Sequence, residues 1–222
     1  MFISSFPLKS FVQKAAIFLR LPLDYALFHP YRAMQVRALD ETVDFIALHM
    51  PDALAFDTPK EVLAHALSLA PKAGLYAEFG VNSGGSINFI AKTAPGQTIH
   101  GFDSFEGLPE NWGGNNMAAG YFNRGGTFPK VRKNVKLHRG WFNESLPPFL
   151  SANPGSAAFL HIDCDIYSST ATILDCFKER IVPGTIIVFD EYFNYPNWKS
   201  HEHKAFEEFI AVTGHQFEYV AY

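Results

Sequence analysis

Two aspartates, Asp163 and Asp165, close the apolar run "AAFLHIDCD", and the adjacent acids Asp190 and Glu191 close "GTIIVFDEY". Residues two apart on a strand face the same way, so Asp163 and Asp165 are expected on one face and Cys164 on the other. His161 shares the face of Asp163 deeper in the strand and reads as a satisfied core histidine. Carboxylates that share a cleft repel one another, so a cation or protons must offset them. An all-oxygen donor set suits a hard ion such as Mg²⁺.

A second constellation stands in "LYAEFGVNSGGS", where an apolar run ends on Glu78 and breaks into glycines. Gly80, Gly84 and Gly85 let the backbone approach a ligand and turn into a helix starting near Ser86, whose free amides attract polar groups. The spacing is neither the dinucleotide GxGxxG nor a Walker lysine motif. Asp103, closing "TIHGFD", stands where an acid can accept both hydroxyls of a ribose. Turn and acid together point to a nucleoside-containing cofactor.

The elements that must hold these residues alternate. Short apolar runs, "LYAEFG", "TIHGFD", "VKLHRGW", "AAFLHIDCD" and "GTIIVFDEY", are separated by helical patterns such as "INFIAKTA", "TATILDCFKER" and "HKAFEEFIAV". That order predicts a parallel sheet wrapped by helices, with ligands at the carboxyl ends of its strands. Before it, Pro30 and Pro51 bracket a helical segment, and Thr58-Pro59-Lys60-Glu61 supplies an N-cap, an N1 proline and a capping-box glutamate. The stretch from Glu106 to Asn134, rich in Gly, Asn and Pro, is too long for a plain connector and reads as a functional or mobile loop.

The chain has 222 residues, 48% of them hydrophobic and 15% aromatic, with a formal charge of -4. This fits one soluble domain and carries no basic footprint for nucleic acid. Residues 1–57 read as a helical extension, a lid or an oligomer contact, and 58–222 as the core. Lys9, Lys14 and Arg20 interrupt the apolar N-terminus before it reaches a membrane-spanning length. Phe11, Ala15, Phe18 and Leu19 share one helical face there, and packing on the core or on a second subunit is favoured over membrane contact. Cys164 and Cys176 have no metal-type spacing and read as buried thiols in a reducing cytoplasm.

The motifs "EFGVNSGGS", "GFDSFEGLP", "HRGWFNESLP", "LHIDCDIYSST" and "PGTIIVFDEY", in that order from about Leu75 to Phe209, resemble class I S-adenosylmethionine-dependent methyltransferases of the macrocin O-methyltransferase type. The resemblance implies an α/β fold, a Rossmann-like doubly wound and mostly parallel sheet. It implies Glu78 and Gly80 beside the methionine moiety, Asp103 on the ribose, and Ser104, Trp141 and Phe142 around the adenine. Gly84 and Ser86 complete the cofactor turn, and Asp163 borders it. It also makes the two acidic runs neighbours, so that four carboxyls converge. By similarity to metal-dependent members, Asp163, Asp190 and Glu191 are ligands of Mg²⁺ and Asp165 is the candidate base; His201 or His203, on the polar stretch after the last acidic pair, is an alternative base. Two departures stand out. Asn82-Ser83 replaces the family's usual Trp-Arg, and Glu191 replaces its usual aspartate.

The activity implied is methyl transfer from S-adenosylmethionine to a hydroxyl of a sugar or catechol-like acceptor, with a homodimer as one use for the extension. Two other readings fit the same residues: a metal-dependent hydrolase, and a non-catalytic cofactor-binding module. A nicotinamide oxidoreductase ranks below both for want of GxGxxG. Trp112, Tyr121, Phe122, Tyr192, Phe193, Tyr195 and Trp198 are expected to contribute an aromatic wall for the acceptor. Beyond the last helix, "GHQFEYVAY" has length for one strand where the family has two, so the sheet is expected to lack its last antiparallel strand.

Overall fold

Proline and capping chemistry set the first two helices of the computed structural model, which describes residues 29–222. The expected amphipathic helix around Phe11, Ala15, Phe18 and Leu19 lies outside those residues. Helix α1 runs Pro30–His49 and α2 Pro59–Leu69, each with proline in its first turn. Thr58 Oγ1 accepts the Glu61 amide at 3.3 Å and donates to the Glu61 carboxylate at 2.8 Å, so cap and third residue hold each other.

Five parallel strands follow: β1 Leu75–Phe79, β2 Ile99–Asp103, β3 Val135–Arg139, β4 Ala157–Ile162 and β5 Ile186–Phe189, in the spatial order β3-β2-β1-β4-β5. Between them lie α3 Gly85–Thr93, α4 Phe142–Ala152 and α5 Tyr167–Phe177, and α6 Glu202–Thr213 comes last. Period-two alternation divides the core. Ala77, Phe79, Phe102, Leu160 and Ile162 pack under α4, α5 and α6, whereas Tyr76, Ile99 and Phe159 pack under α2 and α3. The α/β Rossmann-like architecture read from the sequence is therefore the one observed. Its order reverses between β1 and β4, which is where an open α/β sheet forms its binding crevice.

On the α3 face, Gly101 decides how closely helix and sheet approach. A Cβ there would lie 2.5 Å from Ile87 Cδ1 and 2.8 Å from Val81 Cγ2. Helix α4 was not anticipated, because Pro147 and Pro148 stand inside it. The carbonyls they leave without an intrahelical partner belong to the first turn, and burial of Leu146, Phe149 and Leu150 holds the segment helical.

The segment after α6 does not add the strand expected of it. Its backbone pairs instead with the chain before α2: Leu54 N donates to Val220 O, Phe56 N to Tyr222 O, and Tyr222 N to Leu54 O. A cavity of about 380 Å³ separates this pairing from β5. Among the described residues the sheet accordingly has five strands and no antiparallel member. None of the described helices is long and apolar enough to cross a membrane.

Candidate active site

The carboxyl ends of β1, β2 and β4 open into a cavity of about 300 Å³. Its floor is built by extending the sheet's own hydrogen bonds past the strands. Gly80 N donates to Phe102 O, Asp163 N to Phe79 O, Asp190 N to Ile162 O and Gly140 N to Asp103 O. Each acidic or glycine-bearing turn is thereby fixed to the neighbouring strand. Gly80 has φ +95°, and a Cβ on it would fall 1.6 Å from the Asp163 carbonyl oxygen. Only glycine lets the cofactor turn and the acidic turn cross there.

Gly80, Ser86, Asp103, Ser104, Trp141, Phe142, Asp163, Asp165 and Glu191 all border this cavity. Asp103 Oδ2 accepts the amides of Val81 and Asn82 at 2.9 and 2.7 Å, and Oδ1 accepts that of Phe105 at 2.6 Å. The carboxylate therefore shapes the glycine turn, and one of its four lone-pair positions remains for a ligand. Gly85 has nothing within 4 Å of where a Cβ would project, and it begins α3, whose first amides face the cavity edge. A polar turn, an acid and the rings of Trp141 and Phe142 fit a nucleoside-bearing cofactor.

Other expected residues sit elsewhere. Gly84 caps α3 in a left-handed conformation against Pro129. Glu78 is fully buried, its Oε1 accepting from Ser86 Oγ at 3.1 Å and its Oε2 lying 2.9 Å from His161 Nδ1. Glu78 and His161 are register partners on β1 and β4, which is why they meet. His201 Nε2 donates to the Gly113 carbonyl at 2.7 Å, so it pins the long loop to α6 and does not border the cavity. Burial lowers its pKa.

Asp163 and Asp165 come together by a different route from the one expected. Strand β4 ends at Ile162, and Asp165 adopts φ +69°, turning back toward the cluster. Asp190 and Glu191 likewise lie just beyond β5. Ligating atoms of Asp163, Asp165 and Glu191 gather within 4.8 Å of one another, as do those of His161, Asp163 and Asp190. Asp163 is common to both groups. The all-carboxylate group of Asp163, Asp165 and Glu191 at the cavity rim fits a hard divalent cation.

Sequence reasoning missed Glu202. It sits in the first turn of α6, where an acid normally points to solvent, yet it is fully buried and its Oε2 accepts the Glu191 amide at 3.3 Å. Nothing in its local pattern separates it from an ordinary helix-start glutamate. Crowding of these acids shows in their protonation. Burial, then Asp190, pushes Asp165 up to about 7, and burial, then Glu202, pushes Glu191 up to about 11. Asp190 moves the other way, lowered chiefly by His161. Burial opposes the charge on His161, but Asp190 and Glu78 outweigh it and raise the imidazole to about 10.

The loop from Glu106 to Asn134 carries its own small core. Leu108 and Trp112 pack on Ile166 with Met117 and Tyr195 at the side, and Ser168 Oγ donates to Glu110 at 2.6 Å. Of the aromatic wall expected for the acceptor, Phe122 borders the cavity. Trp112 and Tyr195 pack on each other, and Tyr192, Phe193 and Trp198 pack around Phe45 of α1.

Comparison with known proteins agrees with this geometry. A family model described as a methyltransferase domain matches residues 77–192. The 8-demethyl-8-(2,3-dimethoxy-alpha-L-rhamnosyl)-tetracenomycin-C 4'-O-methyltransferase of Streptomyces olivaceus is 31% identical over 141 residues, 54% of this chain and 53% of that protein. The match thus spans about half the length of that curated relative. The crystal structure of CalS11, calicheamicin methyltransferase, superposes with a TM-score of 0.55 at 19% identity over 93% of this chain and 86% of that one, a likeness of fold. With the family match running from the middle of β1 through the acidic turn after β5, and so across the whole cavity floor, the chain belongs to the methyltransferase domain family.

Proposed function

We propose that this protein is an S-adenosylmethionine-dependent O-methyltransferase that methylates a hydroxyl of a sugar on a natural-product-like acceptor, assisted by a divalent cation of the Mg²⁺ type. The observation that carries this is one cavity in which the glycine turn, Asp103 and the acids Asp163, Asp165 and Glu191 all meet. The rhamnosyl group in the relative's name supports a sugar as the acceptor class.

When bound, S-adenosylmethionine supplies a sulfonium methyl group and the cation supplies a Lewis acid for the acceptor oxygen. The chain's own residues do the rest. Asp103 and the α3 amides hold the nucleoside polar groups while Trp141 and Phe142 flank its base. Asp163, Asp190 and Glu191 would hold the cation, with Asp163 the member shared by the group that contains Asp190 and the group that contains Glu191. Asp165 borders the cavity and would take the proton of the acceptor hydroxyl, whose oxygen gains the methyl group as the sulfur–methyl bond breaks and S-adenosylhomocysteine leaves. Burial and Asp190 raise the Asp165 pKa above the ordinary carboxylate value, which makes it a stronger base than a solvated aspartate. Residues 1–57 serve as a lid or subunit contact over the core 58–222, with α1 joined to the turn after β5 through Asn194 N, which donates to Thr42 Oγ1 at 2.9 Å.

Incubation with labelled S-adenosylmethionine and a panel of rhamnosides, with Mg²⁺ or with chelator, tests the proposal. It expects label on a sugar oxygen and loss of turnover in chelator. Label transfer that is undiminished by chelator would remove the cation from the proposal.

A further inference from the structure

His161 is fully buried, and its two nitrogens are treated differently by the fold. Nδ1 lies 2.9 Å from Glu78 Oε2, a hydrogen bond fixed by the register pairing of β1 with β4. Nε2 has no hydrogen-bond partner and points toward Asp163 and Asp190. Its distance to Asp190 Oδ1 is 3.7 Å, beyond hydrogen-bond reach. It is, however, close to the separation of two atoms that ligate one ion at about 2.1 Å each. At zero exposure, a nitrogen with no hydrogen bond and only a long charge contact to Asp190 is costly unless something completes it.

A histidine that gives one ring N–H to a carboxylate and aims the other nitrogen at further ligands has the arrangement of a metal-bound imidazole oriented by its outer partner. Glu78 is that partner here, and Ser86 Oγ in turn donates to Glu78 at 3.1 Å. One chain of contacts thus runs from the cofactor turn through Glu78 and His161 to the acids. We propose that His161 Nε2 is a ligand of the divalent cation together with Asp163 and Asp190, so that the site prefers an imidazole-accepting first-row ion such as Mn²⁺ over Mg²⁺. This rests on the reading of the acid cluster as a cation site. It adds a nitrogen donor where a purely carboxylate set would favour Mg²⁺.

The test is pulsed electron paramagnetic resonance of Mn²⁺ added to the full chain, alongside calorimetric titration of Mn²⁺ and of Mg²⁺. Expected is a directly coordinated ¹⁴N signal that shifts to ¹⁵N on histidine labelling, with Mn²⁺ tighter than Mg²⁺. In His161→Gln the nitrogen signal disappears and Mn²⁺ affinity drops on the order of 10- to 100-fold. In Glu78→Gln the nitrogen signal stays while affinity weakens, as befits a positioning residue.

Bound Mn²⁺ with water and carboxylate couplings and no nitrogen signal in the unmutated chain would overturn the proposal, whatever the variants do. Failure to bind Mn²⁺ at all would overturn it together with the cation part of the function. S-adenosylhomocysteine binding, measured on the same sample with chelator, reports on the methyltransferase reading separately.

Discussion

Asp165 owes its proposed role to a left-handed backbone turn that brings its carboxyl beside Asp163 and Glu191 and to the cavity rim. Its pKa, raised to about 7, means the protonated form dominates below neutrality. A base must be ionised and a cation beside it lowers its pKa, so kcat is expected to rise with pH to a plateau through a midpoint below about 7, as a pH-rate profile would show. Asp165→Asn should lower kcat by roughly 10²- to 10⁴-fold while leaving S-adenosylhomocysteine affinity nearly unchanged. A variant that keeps wild-type kcat would move the base elsewhere. Asp103 is the complementary case. Its two oxygens accept three backbone amides, so Asp103→Asn turns an NH₂ toward an amide donor. The expected cost is about 1–3 kcal/mol of stability together with weaker cofactor binding, measurable by denaturant titration and calorimetry.

At this scale the sequence was informative about residue types and silent about their surroundings. Gly80, Gly85, Asp103, Trp141, Phe142, Asp163, Asp165 and Glu191 announced themselves at or just past strand ends and border one cavity, whereas Gly84 and Asp190 do not border it. Glu78 and His161 gave the opposite lesson. Position at the end of a strand suggested ligand contact for Glu78, but only the parallel register reveals that it faces His161 inside the sheet. Glu202 and the φ +69° turn at Asp165 were invisible, because burial of a helix-start acid and a left-handed aspartate are set by tertiary packing.

Among the elements, the crossing of the β1 and β4 turns has the least tolerance. Gly80→Ala would drive a Cβ into the Asp163 carbonyl at 1.6 Å and strain a φ of +95°. A loss of at least about 3 kcal/mol is expected, with the acid cluster displaced, so thermal unfolding and cation titration should both register it. On the other face of the sheet, His100 of β2 and His138 of β3 sit with Nδ1 and Nε2 3.0 Å apart and pack on Phe149 of α4. Burial lowers both, His100 to about 4.

The unfolded chain takes up these protons near pH 6.5. The folded form resists until about 4, so its stability is lost as pH falls through that window. Replacing both histidines with glutamine should flatten the fall in melting temperature between pH 6.5 and 4. The alternation of runs made the five strands legible, whereas α4 was hidden by Pro147 and Pro148, and the pairing of the C-terminal segment with Leu54 and Phe56 has no local signal.

Across the whole molecule, acids and cation must be read together. Asp165 and Glu191 have folded pKa values raised above their ordinary ones, to about 7 and about 11. A raised carboxyl contributes stability at low pH and loses it as pH climbs through the folded value. Without divalent cation, these two carboxyls are therefore expected to pull the melting temperature down from about pH 4 upward, Asp165 until about pH 7 and Glu191 until about pH 11, and Mn²⁺ or Mg²⁺ should restore it most at the alkaline end. A cation effect that is independent of pH would contradict the coupling. The same assembly explains why three loops from distant sequence positions act as one site. The loop from Glu106 to Asn134 is fastened to α6 by His201 and to α5 by Ser168, and α1 reaches the turn after β5 through Thr42.

The most direct measurement is calorimetric titration of S-adenosylhomocysteine into the full chain, with and without Mg²⁺, beside Asp103→Asn. Saturable binding of one equivalent in the micromolar range, weakened by the substitution, is the result the account predicts. Absence of binding in every condition, with the protein folded, would contradict it.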